Sequence, residues 1–350
     1  MRVPLIYHQK PIFGFDLGTR TAKLVQLKPS HKGYDVLGYG YANFPGEAVV
    51  EGIIVDPEEI ANALRPLLKQ MSYGKITANR VAVSLPVSKV FTRTLQLPPM
   101  EDSDLAEAVR LEAEQYIPVP LSDLYIDYEI IESDKEKIDV LMVASPRAIV
   151  DSFMKLFEVM NLEVAFIESS LASVIRSTSA DLPKDKTTLV ADFGSVSIDL
   201  TVFDKVIRLT DTIPVGGDHL SDSLVKELGV ALDKANEIKY KFGLEKSDIQ
   251  PQIMAALDKQ LVTIVTEMKR VIKYYNEKAG KEREVETVLL SGGSAGLAGL
   301  TEYLTNALRM PVTLSNPWHG LKLHRIQEIS KRDIAIYTTA IGLARLEGEL

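Results

Sequence analysis

The sequence predicts an α/β protein built as two related halves, with a small α/β insert in the first half. Three observations carry that reading. The chain has 350 residues, more than twice the usual ~150-residue domain. A motif of the form Asp–apolar–Gly–Ser/Thr–x–Ser/Thr occurs as Asp16-Leu-Gly18-Thr19-Arg20-Thr21 and again as Asp192-Phe-Gly194-Ser195-Val-Ser197, 176 residues away, half the chain length to within a residue or so. Between the copies, residues 79–166 read in order as β-β-α-β-β-α-β.

The elements follow from spacing and punctuation. Residues 11–16 and 22–27 read as strand, tight turn and strand, because apolar runs flank a glycine that can take positive φ. Residues 56–71 place Ile60, Ala63, Leu64, Leu67 and Leu68 on one helical stripe. Two strands are expected at 80–85 and 87–97, closed by Pro98-Pro99. The next helix, 102–116, begins among Glu101, Asp102 and Asp104, where its dipole favours acids, and Pro118 stops it. Strands at 124–131 and 138–144, a helix at 146–160 and a strand at 163–167 complete the insert. A second strand–turn–strand covers 188–202. Helices are then expected at 218–229, 232–242 and 250–277, a strand at 285–290, and helices at 300–308 and 333–346. The domain boundaries expected are 1–78 for the first lobe, 79–166 for the insert, 167–187 for the return to that lobe, 188–330 for the second lobe and 331–350 for a helix returning to the first.

Composition narrows the class. The chain is 46% hydrophobic and 25% charged with mean hydropathy +0.03, which excludes disorder over most of its length. A net charge of −8 and a pI near 5.4 oppose nucleic-acid binding through a basic surface. With no cysteine there are no disulfides, zinc fingers or thiol nucleophiles, and a reducing, cytoplasmic setting fits. Residues 1–10 lack the apolar core of a signal peptide, and no run approaches the ~18 apolar residues of a membrane span. The expectation is a chain that stays where it is made.

An Asp-x-Gly-Ser/Thr hairpin tip suits phosphate and Mg²⁺. Backbone N–H groups around the glycine cradle oxygens, hydroxyls add donors, and the Asp holds the metal or its waters. A single copy also serves as plain turn chemistry. Two copies heading two halves point further, to hairpins that clamp one polyphosphate. Val285-Glu-Thr-Val-Leu-Leu-Ser-Gly292-Gly293-Ser294 adds a strand running into a Gly-Gly turn, read either as a flexible connection or as a place where a base or ribose approaches backbone. The same segment spells Gly292-x-Ser294-x-Gly296, the nucleophile-elbow pattern. That pattern needs an acid and then a histidine downstream, whereas only Glu302 precedes His319 and His324, and Asp333 follows both. Neither a Walker A loop nor a strand-borne G-x-G-x-x-G is present, and the five histidines show no metal-ligand spacing.

The ordered set of hairpin, hairpin and Gly-Gly strand end resembles the actin-like ATPase superfamily. Within it the chain is similar to the PilM family of cytoplasmic type IV pilus assembly proteins, relatives of the division protein FtsA. The most specific residues are Leu95-Gln-Leu-Pro-Pro99, Glu112-Ala-Glu-Gln-Tyr-Ile117-Pro118 and Asp127-Tyr128, with Val215-Gly216-Gly217-Asp218, residues 235–243 and Ala340-Ile-Gly342-Leu-Ala344 in support. The resemblance implies a two-lobed actin-like fold that binds ATP or ADP with Mg²⁺. It places Asp16, Gly18, Thr19, Arg20 and Thr21 in the first phosphate motif, and Asp192, Gly194, Ser195 and Ser197 in the second. Asp16 and Asp192 would hold Mg²⁺, directly or through water. Gly216, Gly217 and Asp218 would border the ribose; Gly292, Gly293, Ser294 and Leu297 would border the adenosine. The helical Ala-Glu-x-x-Lys motif reads Ala235-Asn236-Glu237-Ile238-Lys239, keeping Lys239 and putting Asn236 where the family has Glu.

The function this implies is an ATP-binding assembly protein of a type IV pilus, or a related type II secretion, inner-membrane platform. Nucleotide would set the closure of the lobes. The insert, with the first lobe, would dock the cytoplasmic N-terminal tail of a PilN-like inner-membrane protein, and pilus motor or other platform proteins are further candidate partners. No nucleic-acid partner and no direct membrane insertion are expected, so the chain would be cytoplasmic and peripheral to the membrane through its partner. Turnover would be slow or negligible, since Glu168 is the one nameable candidate for a base. Two rival readings remain: a small-molecule phosphotransferase on the same fold, and a filament-forming FtsA-like membrane tether. The tether normally needs a basic amphipathic helix at a terminus, and the ending Arg345-Leu-Glu347-Gly-Glu349-Leu350 is acidic.

Overall fold

The computed structural model describes residues 10–31, 33–69, 71–280, 283–323 and 334–348. Residues 1–9, His324, Asp333 and Glu349-Leu350, which enter the sequence reading, lie outside the described residues. The chain divides into two compact units, one of residues 1–86, 148–180 and 317–350, the other of 87–147 and 181–316.

In the first unit β1 (Ile12–Leu17), β2 (Thr21–Ser30) and β3 (Gly33–Asn43) form an antiparallel meander. A small hairpin of β4 (Val49–Val50) and β5 (Ile53–Ile54) precedes α1 (Pro57–Lys69). The helix buries Ile60, Ala61, Leu64 and Leu67, close to the predicted stripe. Short β6 (Tyr73–Gly74) adds to β3, and β7 (Arg80–Leu85) lies parallel to β1. The chain then enters the second unit for β8 (Phe91–Leu97), α2 (Asp102–Tyr116), β9 (Leu124–Ser133) and β10 (Ile138–Pro146). It returns through α3 (Arg147–Val159) to β11 (Glu163–Ser169), parallel to β7, and α4 (Ser170–Thr178).

The second half of the chain repeats this plan. β12 (Thr187–Phe193), β13 (Ile198–Asp204) and β14 (Val206–Ile213) form an antiparallel meander. Helices α5 (Gly217–Leu228), α6 (Leu232–Lys241) and α7 (Gln250–Ala279) follow. β15 (Val285–Ser291) runs parallel to β12; after α8 (Leu300–Leu308), β16 (Val312–Leu314) runs parallel to β15. The sheet order β14-β13-β12-β15-β16 has the connectivity of β3-β2-β1-β7-β11 in the first unit. The duplicated motif is thus the tip of the same hairpin in two copies of one sheet. The third strand of each meander, β3 and β14, was not anticipated. One face of the second sheet is closed by the apolar stripe of α7, including Ile253, Leu257, Leu261, Ile264 and Met268.

Back in the first unit, β17 (Leu321–Lys322) pairs with β3, and α9 (Thr338–Arg345) lies against β1 and α4. Glycines make that packing possible: a Cβ on Gly14 would overlap the Ala340 carbonyl, and one on Gly342 the Ser173 carbonyl. Trp318 stacks edge-on against Tyr39 at 5.0 Å and so belongs with this unit, which shortens the second-lobe range expected from sequence, 188–330, at its C-terminal end.

The insert is also smaller than the 79–166 expected. Arg80–Leu85 and Glu163–Ser169 are β7 and β11, paired parallel with each other in the first unit's sheet. β7 is buried along nearly its whole length. A strand covered on both faces reads as a continuous apolar run, which does not reveal the sheet it joins. What remains is an antiparallel sheet in the order β8-β10-β9 with α2 on one face. Leu95, Leu97, Val140, Met142 and Ala144 pack there against Leu105, Val109 and Ala113.

Candidate functional site

In the second unit the predicted segments converge on one carbonyl. The turn after β12 closes when Gly194 N–H donates to Ser197 O at 2.9 Å. The outward Gly194 carbonyl accepts from Gly217 N–H at 3.0 Å and from Ser294 Oγ at 3.0 Å. One oxygen thereby ties together the hairpin tip, the start of α5 and the Gly-Gly turn. Asp218 N–H donates to Ser195 O at 2.8 Å and fastens the same junction.

The glycines here are there for approach. Gly292, at φ +84°, sits where a Cβ would meet Asp192 Oδ1 at 2.5 Å. A Cβ on Gly217 would overlap Ser294 Oγ, and one on Gly216 would overlap the Ser195 carbonyl and lie 2.6 Å from Ser197 N. Backbones of three segments are therefore nearly in contact, with Gly293 beside them at the start of a short 3-10 turn.

Behind this junction Lys239, only 3% exposed, points into the start of α5. Its ammonium donates to Gly217 O at 3.0 Å and to Ser221 Oγ at 2.7 Å. Ser221 Oγ also lies 2.8 Å from Asn236 Oδ1. Asn236, where the family has Glu, joins this network through a neutral amide oxygen. His219 Nδ1 accepts from Gly216 N–H at 3.1 Å and caps α5. His219 and Ser221 were missed from the sequence, although both lie within the first turns after the predicted Gly216-Gly217-Asp218.

Leu297 departs from its expected role. Its side chain is 3% exposed and packs in the core of the unit. Ser294 is committed as a donor to Gly194 O, so its hydroxyl works as a latch between turns. That agrees with the missing acid–histidine relay. Ser291 Oγ, in register with Asp192, is buried with no partner among the described residues.

The residue across the hairpin from Asp192 was also missed. Asp199 pairs with it in the β12–β13 register, and burial pushes its carboxyl up to about 6 despite a hydrogen bond from Thr212 Oγ1 at 2.8 Å. Two carboxylates thus stand side by side at the end of this sheet. Among the described residues no three or more of His, Cys, Asp and Glu are grouped so as to hold a metal ion, so a Mg²⁺ held here needs phosphate or water for its remaining ligands.

In the first unit the motif forms the β1–β2 turn, with Gly18 N–H donating to Thr21 O at 2.9 Å. Arg20 O accepts from Phe44 N–H at 3.0 Å, and Thr21 Oγ1 lies 3.2 Å from Asn43 Oδ1. Thr19 at the tip is partly exposed. Asp16 faces Lys23 across the hairpin, with Oδ2 3.1 Å from the ammonium, and Ser84 Oγ lies 3.5 Å from Oδ1. Lys23 was not predicted, yet it stands at the same offset of seven from Asp16 as Asp199 does from Asp192. Glu168 is not poised as a base: Arg176 grips both carboxylate oxygens at 2.7 and 2.9 Å, and Ser173 Oγ donates at 2.6 Å. The strand-end position that suggested catalysis serves an internal ion pair.

The family model described as type IV pilus assembly protein PilM matches residues 14–347. The chain belongs to the PilM family. Among solved structures, the PilM–PilN type IV pilus biogenesis complex shares the fold with a TM-score of 0.84 at 21% identity, over 96% of this chain and 98% of that one. MreB 5 of Spiroplasma citri, bound to AMPPNP, matches with a TM-score of 0.55 at 13% identity over 98% and 97% of the two chains. The cell division protein FtsA of Streptococcus pneumoniae is 21% identical over 344 residues, 87% of this chain and 75% of its own length. The actin-like fold and the FtsA relationship expected from the motifs are thereby established. Among the described residues no helix is long and apolar enough to cross a membrane.

Proposed function

We propose that this PilM-family protein is a nucleotide-responsive adaptor for a PilN-like inner-membrane protein. The carrying observation is the junction on Gly194 O, where one phosphate-type turn, the Gly-Gly turn and a helix start meet with glycines at each close approach. The AMPPNP held by the MreB relative and the PilN held in the PilM–PilN complex support the two halves of the reading. Backbone N–H groups of 195–197 and the hydroxyls of Ser195 and Ser197 would take phosphate oxygens. Asp192 would hold Mg²⁺ or its waters, and the Gly292-Gly293 turn, bare of side chains, would take the base. Magnesium bound there would offset phosphate charge. Asp16 and Lys23 of the first hairpin would supply a second set of contacts on lobe closure. Glu168 is engaged elsewhere, which supports slow or negligible hydrolysis. The chain would work in the cytoplasm, held at the inner membrane by the PilN-like tail, with the insert as docking module.

The test is calorimetry of Mg-ATP binding, alongside capture of a PilN-like tail peptide with and without nucleotide. Asp16→Ala and Asp192→Ala should each weaken Mg-ATP by about 1.5–3 kcal/mol, as for a lost charge-assisted contact. Gly293→Val should block the base. Unchanged affinity in all three variants overturns the site; failure of the tail to bind the intact protein overturns the adaptor role.

A further inference from the structure

Residues 87–147 of the insert carry six Lys and Arg against thirteen Asp and Glu, a net of −7 out of −8 for the whole chain. The acidity of this protein is therefore almost entirely local. The insert's basic groups are partly engaged already: Lys137 pairs with Asp139 at 2.9 Å, Arg93 stacks on Tyr116, and Arg147 stacks on Tyr125.

The topology leaves one long strand of this acidic module at an edge. β10 lies between β8 and β9, and β8 is near β14, whose Ile207 carbonyl lies 3.5 Å from Thr94 Oγ1. β9 pairs with β10 alone among the described strands and is ten residues long. Sheet edges are usually blunted by charged side chains, lysine above all, by proline, by a bulge or by brevity. β9, Leu-Tyr-Ile-Asp-Tyr-Glu-Ile-Ile-Glu-Ser, has no lysine or proline and is not short; its register against β10 slips by one residue at Ile131, and the charges it carries are all acidic. Asp127, Glu129 and Glu132 are exposed on it, Glu132 lying 3.7 Å from the Arg208 guanidinium of β14, and Tyr125 and Ile130 are 42% and 44% exposed.

We infer that the β9 edge is a docking site for a basic, extended segment of a partner protein, which adds to the insert's sheet as a further strand. The backbone edge supplies hydrogen bonds to any extended chain, while the carboxylates select its charge. Those carboxylates also exclude the obvious competitor. A second copy of β9 laid along this edge would set acid against acid, so the charge pattern disfavours self-association. Ile130, on the face opposite Asp127 and Glu129, offers an apolar contact for the alternate residues of the added strand that turn away from the carboxylates. The inference deepens the reading of the insert as docking module and rests on it for biological context, but its test stands apart.

The probe is a labelled twelve-residue peptide of alternating lysine and leucine, with a glutamate–leucine counterpart and an alternately N-methylated lysine version. Each is titrated into the intact protein by fluorescence anisotropy between 50 and 500 mM salt. The lysine peptide should bind and weaken steeply with salt, and its glutamate counterpart should not bind. N-methylation keeps the charge but removes the strand's donors, and should cost at least tenfold. D127K/E129K, surface changes checked for folding by circular dichroism, should cost at least tenfold as well. Hydrogen exchange should slow at β9 amides when peptide is bound. Equal binding of the N-methylated peptide, or undiminished binding by D127K/E129K, overturns the inference. If that happens while PilN-like tail capture persists, the adaptor reading stands and docking moves off β9. If tail capture fails while the edge tests succeed, the adaptor reading falls and the edge remains.

Discussion

The two hairpins have one backbone plan and opposite charge plans. In each, a strand carries Asp one residue before its end, turns through a glycine whose N–H donates 2.9 Å to the residue three on, and returns in register. Seven residues after the Asp, the first hairpin places Lys23 and the second places Asp199. Asp16 is therefore held by an ammonium, whereas Asp192 stands beside a second acid whose carboxyl burial pushes up to about 6. Positive charge reaches the second unit's junction from α6 instead, as Lys239 behind Gly217. Duplication of a scaffold thus did not duplicate its electrostatics. The first tip suits an anion, and the second suits a cation beside an anion.

The largest expected difference is steric. A Cβ on Gly216 would overlap the Ser195 carbonyl, and neither that backbone nor the one at Ser197 can move without opening the Gly194 junction. Gly216→Ala should destabilise the second unit by about 3 kcal/mol or more. At Gly18 the nearest atoms are Thr21 O at 3.2 Å and the flexible end of Lys23 at 3.3 Å. Gly18→Ala should cost about 1 kcal/mol or less. Urea unfolding of both variants checks this; equal losses would mean the junction is no tighter than a bare hairpin.

The next difference is electrostatic and depends on pH. The folded Asp199 carboxyl titrates near 6, above its unfolded value of 3.8. Below about pH 4 both states are protonated and the group is neutral in its effect. As pH rises from about 4 to 6 the unfolded chain ionises first, so folding loses stability through that window. The loss is at most about 3 kcal/mol, less what residual solvent screens. Asp199→Asn keeps an acceptor for Thr212 and removes the titration. It should be as stable as wild type at pH 4 and more stable at pH 7. A variant less stable at pH 7 would show that the charged carboxylate has a partner worth more than its burial costs.

The comparison also marks what spacing can reveal. Both hairpins, the Gly-Gly turn and α5 to α7 were legible because their glycines and stripes are local signals. The third strands were not. β3 reads Gly-Tyr-Asp-Val-Leu-Gly-Tyr-Gly-Tyr-Ala-Asn, its glycines interrupting any apolar alternation, and β14 is half-exposed along most of its length. Lys23 and Asp199 escaped for another reason. Their role depends on cross-strand register, which becomes visible only when the two motifs are superposed and the offset of seven is compared. Glu168 misled because a strand-end carboxylate looks alike whether it faces a substrate or, as here, Arg176 eight residues on.

The smallest expected effect on folding comes from Lys23. Its pair with Asp16 is partly exposed, 18% and 16% for the two side chains, and such pairs contribute about 1 kcal/mol or less. Lys23→Met preserves the aliphatic stem and removes the charge, so unfolding should shift by no more than that. If the first hairpin contacts phosphate as proposed, the effect on Mg-ATP should be larger than the effect on folding, because an ammonium facing phosphate charge would be missing. Lys23→Asp sharpens the contrast, since it gives the first hairpin the charge plan of the second. If the two tips have divided anion and cation between them, this variant should bind nucleotide more weakly than Lys23→Met while unfolding at nearly the same urea concentration. Calorimetry and urea melts on the two variants separate the cases. A loss of several kcal/mol in stability with unaltered nucleotide affinity would make Lys23 a structural partner of Asp16 alone, and the charge difference between the hairpins would then carry no function.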